Sequence, residues 1–180
     1  MAANKLATIN KEEAEGGEVA YRRGRGGTSL GRAVHSVLQT VDLATGAHLE
    51  EIAAAQAAAE GIPWRSGEVA RLARRALESR VVGRAVASGR YYREAFMSVP
   101  VEGGLLEGFL DLIFEDDDGL VIADYKTDVI ESDERLHEAR ERYALQVGAY
   151  ALMASAATGK PVREVVLVFL QSNQEIPFDD

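Results

Sequence analysis

The stretch GFLDLIFEDDDGLVIADYKTD, residues 108–128, carries ionisable side chains inside apolar runs: Asp111 in the first run, Asp124 and Lys126 in the second. Ionised groups inside a sheet are costly unless they are paired or bound to a metal, whereas EDDDG at 115–119 is an ordinary solvated turn. A turn centred between Asp117 and Asp118 sets Asp111 directly opposite Asp124 across a hairpin. Strand alternation then places Asp111, Asp124 and Lys126 on one face, and Leu110, Leu112, Val121, Ala123 and Tyr125 on the other. Carboxylates this close disfavour each other's charge, and a divalent cation relieves the repulsion; hard oxygen ligands suit Mg²⁺ or Mn²⁺. A metal that activates water, with an ammonium nearby to orient a nucleophile or steady developing charge, matches phosphodiester hydrolysis. The plain alternative is a buried Asp111–Lys126 ion pair without chemistry, which leaves Asp124 unexplained.

The elements that must position these residues follow from the rest of the pattern. Residues 1–28 are polar and glycine-rich, with a basic knot at Arg22, Arg23 and Arg25, and read as a flexible leader or linker; compact structure is expected over 29–180. SLGRAVHSVLQTVDL spaces Leu30, Val34, Val37, Leu38 and Val41 as one helix face carrying His35, with Thr28 or Ser29 as cap. HLEEIAAAQAAAEG predicts a second helix ending at Gly61. SGEVARLARRALESRVVG predicts a third, capped by Ser66 and stopped by Gly83. RYYREAFMSVPV, LLEGFLDLIFE and GLVIADYKT predict three successive antiparallel strands. A long helix follows over 133–157, then a strand in VREVVLVFLQ buried on both faces, and the tail QSNQEIPFDD shows no pattern. The expected fold is one α/β domain: helices, three antiparallel strands, helix, strand.

Composition narrows the function. The 180 residues include 20 Lys and Arg against 29 Asp and Glu, a formal charge of −9, so bulk electrostatics cannot grip a polyanion. Contact with nucleic acid then needs a local site or a partner's charge. With no cysteine, disulfides, Cys-ligated zinc, iron–sulfur clusters and thiol nucleophiles are excluded. No stretch approaches a membrane span and the N-terminus has no apolar signal core, so neither a membrane nor a secreted role is expected and a cytoplasmic setting is. Bland roles are assigned elsewhere: His48 and His137 as solvated, Arg71, Arg74, Arg75 and Arg80 as a solvated helix face, and Trp64 as a loop anchor.

With these motifs in place, the chain resembles the PD-(D/E)XK phosphodiesterase superfamily, closest to the nuclease domain of RecB-like and AddA-like helicase–nucleases, over about Thr28 to Leu170. The matching motifs are GRAVH ending at His35, GFLD ending at Asp111, DYKT from Asp124 to Thr127, and QVGAY from Gln146 to Tyr150. The resemblance implies a restriction-endonuclease-like core and a metal-dependent deoxyribonuclease, exonucleolytic rather than endonucleolytic, in DNA end processing, recombination and repair. It implies Mg²⁺ or Mn²⁺ held by His35, Asp111, Asp124 and the Tyr125 backbone carbonyl, with Asp111, Asp124 and Lys126 catalytic. Glu94 resembles the family's acid on the preceding strand, and Gln146 and Tyr150, four apart on one helix face, resemble its substrate-contacting and supporting pair. Relatives with an iron–sulfur cluster use four cysteines, so this sequence resembles the cluster-free branch; GFL replaces the motif's proline. The implied partners are single-stranded or unwound DNA and a helicase motor, fused or as a separate chain. The competing expectation is a catalytically silent protein of the same fold that binds DNA ends or scaffolds.

Overall fold

The structure, a computed structural model, describes residues 27–117 and 119–179; the leader assigned to residues 1–28 falls outside these except for its last two residues. Four helices come first: α1 (Ser29–Thr40), α2 (Leu49–Ala59), α3 (Ser66–Leu77) and α4 (Arg80–Ser88), with a short 3₁₀ turn at Pro63–Arg65. Three strands follow, β1 (Tyr91–Val101), β2 (Gly104–Asp116) and β3 (Gly119–Lys126), then α5 (Asp133–Thr158), β4 (Val162–Phe169) and β5 (Gln174–Asp179). The strands form one sheet in the order β1-β2-β3-β4-β5. Neighbours are antiparallel except β3 and β4, which run parallel because α5 carries the chain back across the sheet. This is the expected α/β, restriction-endonuclease-like arrangement with one strand added.

Two apolar layers hold it together. Helices α1 to α4 pack with Leu112, Phe114, Val121, Ala123, Tyr125, Val166, Val168 and Leu170 on one face of the sheet. Helix α5 packs with Leu110, Ile113, Leu120, Ile122, Val165, Leu167 and Phe169 on the other. Because β3 and β4 lie mid-sheet under both layers, both kinds of side chain are buried along them, and their sequences read as unbroken apolar runs.

Several expectations need correction. The third predicted helix is two, because Ser79 turns the chain out at ψ 149° and caps α4 through the Val82 N–H; Gly83 lies inside α4, and Gly89 ends it at φ 67°. Ser66 begins α3 but is not its cap, a position held by Arg65 with no side-chain cap bond. Thr28 does cap α1, its hydroxyl accepting from Gly31 N–H at 3.1 Å. The tail assigned no pattern forms β5, whose Pro177 is tolerated because β5 is an edge strand. Glu175 of that strand accepts from the Arg80 and Val81 N–H groups, so the tail also holds the start of α4. Trp64 is 78% exposed and anchors nothing among the described residues. Arg75 is not solvated: it donates to the Leu170 and Gln171 carbonyls, while Arg74 pairs with Glu50 and Arg71 donates to Gln171.

Gly119 closes the β2–β3 turn at φ 149°, where a Cβ would lie 2.7 Å from the Pro161 carbonyl oxygen. That carbonyl already accepts from Leu120 N–H at 2.9 Å and cannot retreat without breaking the bond. Gly119→Ala is therefore expected to destabilise by roughly 2–3 kcal/mol. Urea unfolding should show a lower midpoint at unchanged slope, and a wild-type midpoint would contradict this account of the turn.

Candidate metal centre and its lysine

The β2–β3 ladder pairs Leu112 with Ala123 and, toward the turn, Asp116 with Gly119, which is the register expected from a turn at Asp117 and Asp118. One step beyond its open end lie Asp111 and Asp124. There regular pairing stops: the Tyr125 N–H donates not to a strand carbonyl but to Asp111 Oδ2, at 2.8 Å. The β1–β2 ladder is interrupted at the same level, pairing Arg93 with Leu112 and then Ala95 with Leu110, so that its register steps over Glu94 and Asp111. Glu94 takes a φ of 48°, sparsely populated for a residue with a side chain.

This irregularity overturns part of the simple alternation. Leu110 packs with α5 while Leu112 packs under α1 to α4, so the strand changes phase across Asp111 and Leu110 does not share a face with Leu112. On β3 the alternation is regular: Val121, Ala123 and Tyr125 face the four-helix layer, and Asp124 and Lys126 reach residues of α5. The two aspartates consequently have different surroundings.

Asp111 bonds into the helical layer. Its Oδ1 lies 3.0 Å from His35 Nδ1, and His35 Nε2 lies 3.0 Å from the Tyr125 carbonyl oxygen. Amphipathic packing of α1, with Val34 and Leu38 buried on either side of His35 in sequence, aims the imidazole at the strand. Both ring nitrogens face acceptors, an arrangement that suits the doubly protonated ring. Burial opposes that charge, but the Asp111 carboxylate outweighs it, and the His35 pKa is pushed up to about 9. Burial likewise works to raise the Asp111 pKa, yet His35, the Tyr125 N–H and Lys126 hold it below the usual carboxylate range. Ligand atoms of His35, Glu94 and Asp111 all lie within 4.8 Å of one another, close enough to share one cation.

Asp124 sits on the other side of Tyr125, 3% exposed and the buried charged residue of the described core. Its Oδ1 accepts from Tyr150 Oη at 3.2 Å. Its Oδ2 lies 2.7 Å from Lys126 Nζ, an ion pair, and no other partner satisfies that buried oxygen. Burial and the charge of Asp111 raise the Asp124 pKa although Lys126 opposes them. Lys126 donates to Gln146 Oε1 at 2.8 Å, and Gln146 Nε2 donates to Tyr150 Oη at 2.6 Å. Burial disfavours the ammonium, but the Asp124 charge prevails and keeps the Lys126 pKa above the ordinary lysine value.

The eight residues named from the sequence thus fall into two linked groups. His35, Glu94, Asp111 and the Tyr125 carbonyl form one; Asp124, Lys126, Gln146 and Tyr150 form the other, with Asp124 outside the three-residue cluster. His48 and His137 stand apart, their side chains 80% and 75% exposed. Sequence reasoning did not single out Tyr143, which falls inside the long helix expected over 133–157. Its ring lies 4.2 Å from Lys126 Nζ, and its hydroxyl donates to Asp128 Oδ2 at 2.7 Å. The available signal was spacing: Tyr143, Gln146 and Tyr150 fall on one α-helical face.

The donor set fits a divalent cation, combining an imidazole, carboxylates, a backbone carbonyl and, nearby, the buried Asp124 carboxylate, whose Oδ2 has only the Lys126 ammonium beside it.

Comparison with known proteins gives the family. A family model describing the PD-(D/E)XK nuclease superfamily matches residues 12–177. An ATP-dependent helicase/nuclease subunit from Bacillus cytotoxicus is 29% identical over 175 residues, covering 83% of this chain and 14% of its own length. The protein of the same name from a Thermoanaerobacter species is 38% identical over 69 residues, 38% of this chain and 6% of its own. This chain therefore spans only a small part of the relatives it matches. A solved structure titled "Crystal structure of SSO0001" is similar over 100% of this chain and 78% of its own, at 14% identity and a TM-score of 0.34, a likeness too loose to carry weight. Because the family match runs through nearly the whole sequence, the chain belongs to the PD-(D/E)XK nuclease superfamily.

Proposed function

We propose that this chain is a metal-dependent deoxyribonuclease module that hydrolyses phosphodiester bonds in single-stranded or unwound DNA, exonucleolytically, beside a helicase motor in cis or in a partner chain. The observation that carries this reading is the convergence of His35, Glu94 and Asp111 within 4.8 Å, one residue across Tyr125 from the buried Asp124–Lys126 pair. The motor is suggested by relatives named as helicase/nuclease components and by a charge of −9, which makes unaided capture of DNA unfavourable. The associated processes are DNA end processing, recombination and repair.

His35, Asp111, Asp124 and the Tyr125 carbonyl would hold Mg²⁺ or Mn²⁺, with Glu94 supporting them; an imidazole among oxygens favours Mn²⁺. A cation held there supplies Lewis-acid stabilisation of charge developing on the phosphodiester. To ligate, His35 must give up a ring proton and turn one nitrogen from its present acceptor. Lys126 presents its ammonium at the same centre, where it orients the nucleophile or offsets charge on the phosphate oxygens. Gln146 holds Lys126, and Tyr150 holds Asp124, so both depend on one face of α5.

The direct experiment is incubation of the purified chain with labelled single- and double-stranded oligonucleotides in Mg²⁺, Mn²⁺ or EDTA. Hydrolysis with either metal and none in EDTA is expected. Inactivity on every DNA form despite bound metal would replace this reading with the silent, DNA-binding one. Metal binding has its own readout: Mn²⁺ at a hundredfold excess over its Kd stabilises by about 2.7 kcal/mol, or roughly 5–10 °C in melting temperature for a chain of this size. Asp111→Asn should lose most of that shift, and an undiminished shift would remove Asp111 from the ligand set.

A further inference from the structure

Among the described residues, one face of the β1–β2 hairpin is uncovered past the helical layer. Its inner face, with Ala95, Met97, Val99, Val101, Leu106 and Leu110, packs against α5. Its outer face presents Phe96 at 57%, Phe109 at 37% and Leu105 at 62% exposure, although large apolar side chains on a sheet normally seek cover. Phe96 and Phe109 are direct cross-strand partners with ring centroids 5.1 Å apart. Along the same ladder, Ser98 pairs with Glu107 and Pro100 with Leu105. In the opposite direction, beyond the Ala95–Leu110 pair, the ladder is interrupted at Glu94 and Asp111, two members of the metal cluster. Two residues of strand advance the backbone by about 7 Å. The rings therefore begin two residues along the strands from the carboxylates.

We infer that Phe96 and Phe109 form a stacking platform for the bases of a single-stranded nucleic acid whose phosphodiester lies at the neighbouring carboxylate cluster. The inference rests on the nuclease reading and deepens it by naming where the substrate's bases go. Continuity with the cluster is what favours nucleic acid as the occupant. A strand with one phosphate at Glu94 and Asp111 must pass over this face or leave it at once, and the π-face of any base is complementary to exposed rings. Charge contributes no affinity on this face, which leaves the rings to supply it. Its acid, Glu107, accepts from the Ser98 hydroxyl at 3.1 Å, and no Lys or Arg occurs among Phe96, Ser98, Pro100, Leu105, Glu107 and Phe109 to track a phosphate backbone. Such a surface holds bases and leaves phosphates to the cation. Duplex DNA, with its bases stacked on one another, has no ring face to offer it.

The test measures binding, so that it does not depend on hydrolysis. A fluorescent oligothymidylate and an abasic strand of equal length are titrated by anisotropy against the full 180-residue chain in Ca²⁺ at low salt, with gels confirming that the strand is intact. Wild type should bind oligothymidylate at least about tenfold more tightly than the abasic strand. The double variant F96A/F109A should lose that preference while the salt dependence of its binding stays unchanged, because the rings release no counterions. Phe109→Trp should retain the preference, with its emission quenched by oligothymidylate and not by the abasic strand. Equal affinity of wild type for both strands, or an unaltered preference in F96A/F109A, overturns the proposal. So does a concentration-dependent dimer in sedimentation that F96A/F109A abolishes without changing DNA binding, which would assign the face to a second copy. The two readings fail separately: hydrolysis without base preference ends this inference and leaves the nuclease, whereas base preference without hydrolysis in any metal does the reverse.

Discussion

Asp124→Asn is expected to lower the rate of DNA hydrolysis by about 10³-fold in a chain that still folds, though less stably because the Lys126 ammonium loses its partner. The carboxylate lies at 3% exposure, its Oδ1 accepting from Tyr150 and its Oδ2 ion-paired with Lys126 alone. Asparagine has the same shape, so the Tyr150 bond and the surrounding packing survive. What disappears is the negative charge that faces the cluster and holds the Lys126 ammonium. Loss of a ligand charge in a partly dry site removes several kcal/mol of transition-state stabilisation, and about 4 kcal/mol corresponds to roughly a thousandfold in rate. Single-turnover cleavage with saturating Mn²⁺, compared with a melting curve of each protein, separates chemistry from stability. A folded Asp124→Asn variant that cuts within tenfold of wild type would remove Asp124 from the reaction and return it to a structural ion pair.

Lys126→Met should impair both rate and stability, and the second effect is the more diagnostic. Lys126 is only 13% exposed, and its ammonium touches Asp124 Oδ2, Gln146 Oε1 and the Tyr143 ring. Methionine fills the volume but strands a buried carboxylate, a loss of about 3–5 kcal/mol in the metal-free protein. Two measurements identify the cause. Adding Asp124→Asn to Lys126→Met should recover most of the lost stability, since removing both charges leaves nothing unpaired. Mn²⁺ should raise the melting temperature of Lys126→Met by more than that of wild type, because the cation takes over neutralising Asp124. Activity should stay down by roughly 10²-fold or more even with metal, as the ammonium itself is missing. Independent, additive losses in the double variant would show that the two charges do not sense each other.

These outcomes bear on Asp111 and Asp124 differently because the fold treats them differently. Asp111 is neutralised from the helical layer by His35 and from its own sheet by the Tyr125 N–H, and its pKa is lowered. Asp124 has Lys126 and the neutral Tyr150 hydroxyl, and burial wins, raising its pKa. Two carboxylates one register step beyond the same ladder therefore differ in how readily they stay charged, and a cation between the layers would relieve Asp124 most.

Much of this was legible before folding. Alternating and unbroken apolar runs identified β1 to β4, because a strand's period of two and a mid-sheet strand's double burial leave a direct trace in residue types. The turn at Asp117 set the β2–β3 register, and with it the approach of Asp111 to Asp124, because a short turn leaves little freedom in pairing. β5 was not legible: an edge strand with Pro177 and solvent-facing polar residues carries little apolar signal, and it exists because β4 offers it an open edge. The break between α3 and α4 was hidden because Ser79 sits within an otherwise helical rhythm.

What sequence alone determined about this protein is the inventory and its local order: the acids, the lysine, the histidine on its helix face, and the hairpin that brings the acids level. Only the tertiary structure decided that Glu94 joins His35 and Asp111 through a left-handed backbone turn, that Tyr143 lies against Lys126, and that Asp111 and Asp124 are served by opposite layers. The reason is range. Periodicity and turn chemistry act over a few residues, whereas the partners of a charge are set by which helix packs on which face of the sheet, across separations such as the 90 residues between His35 and Tyr125.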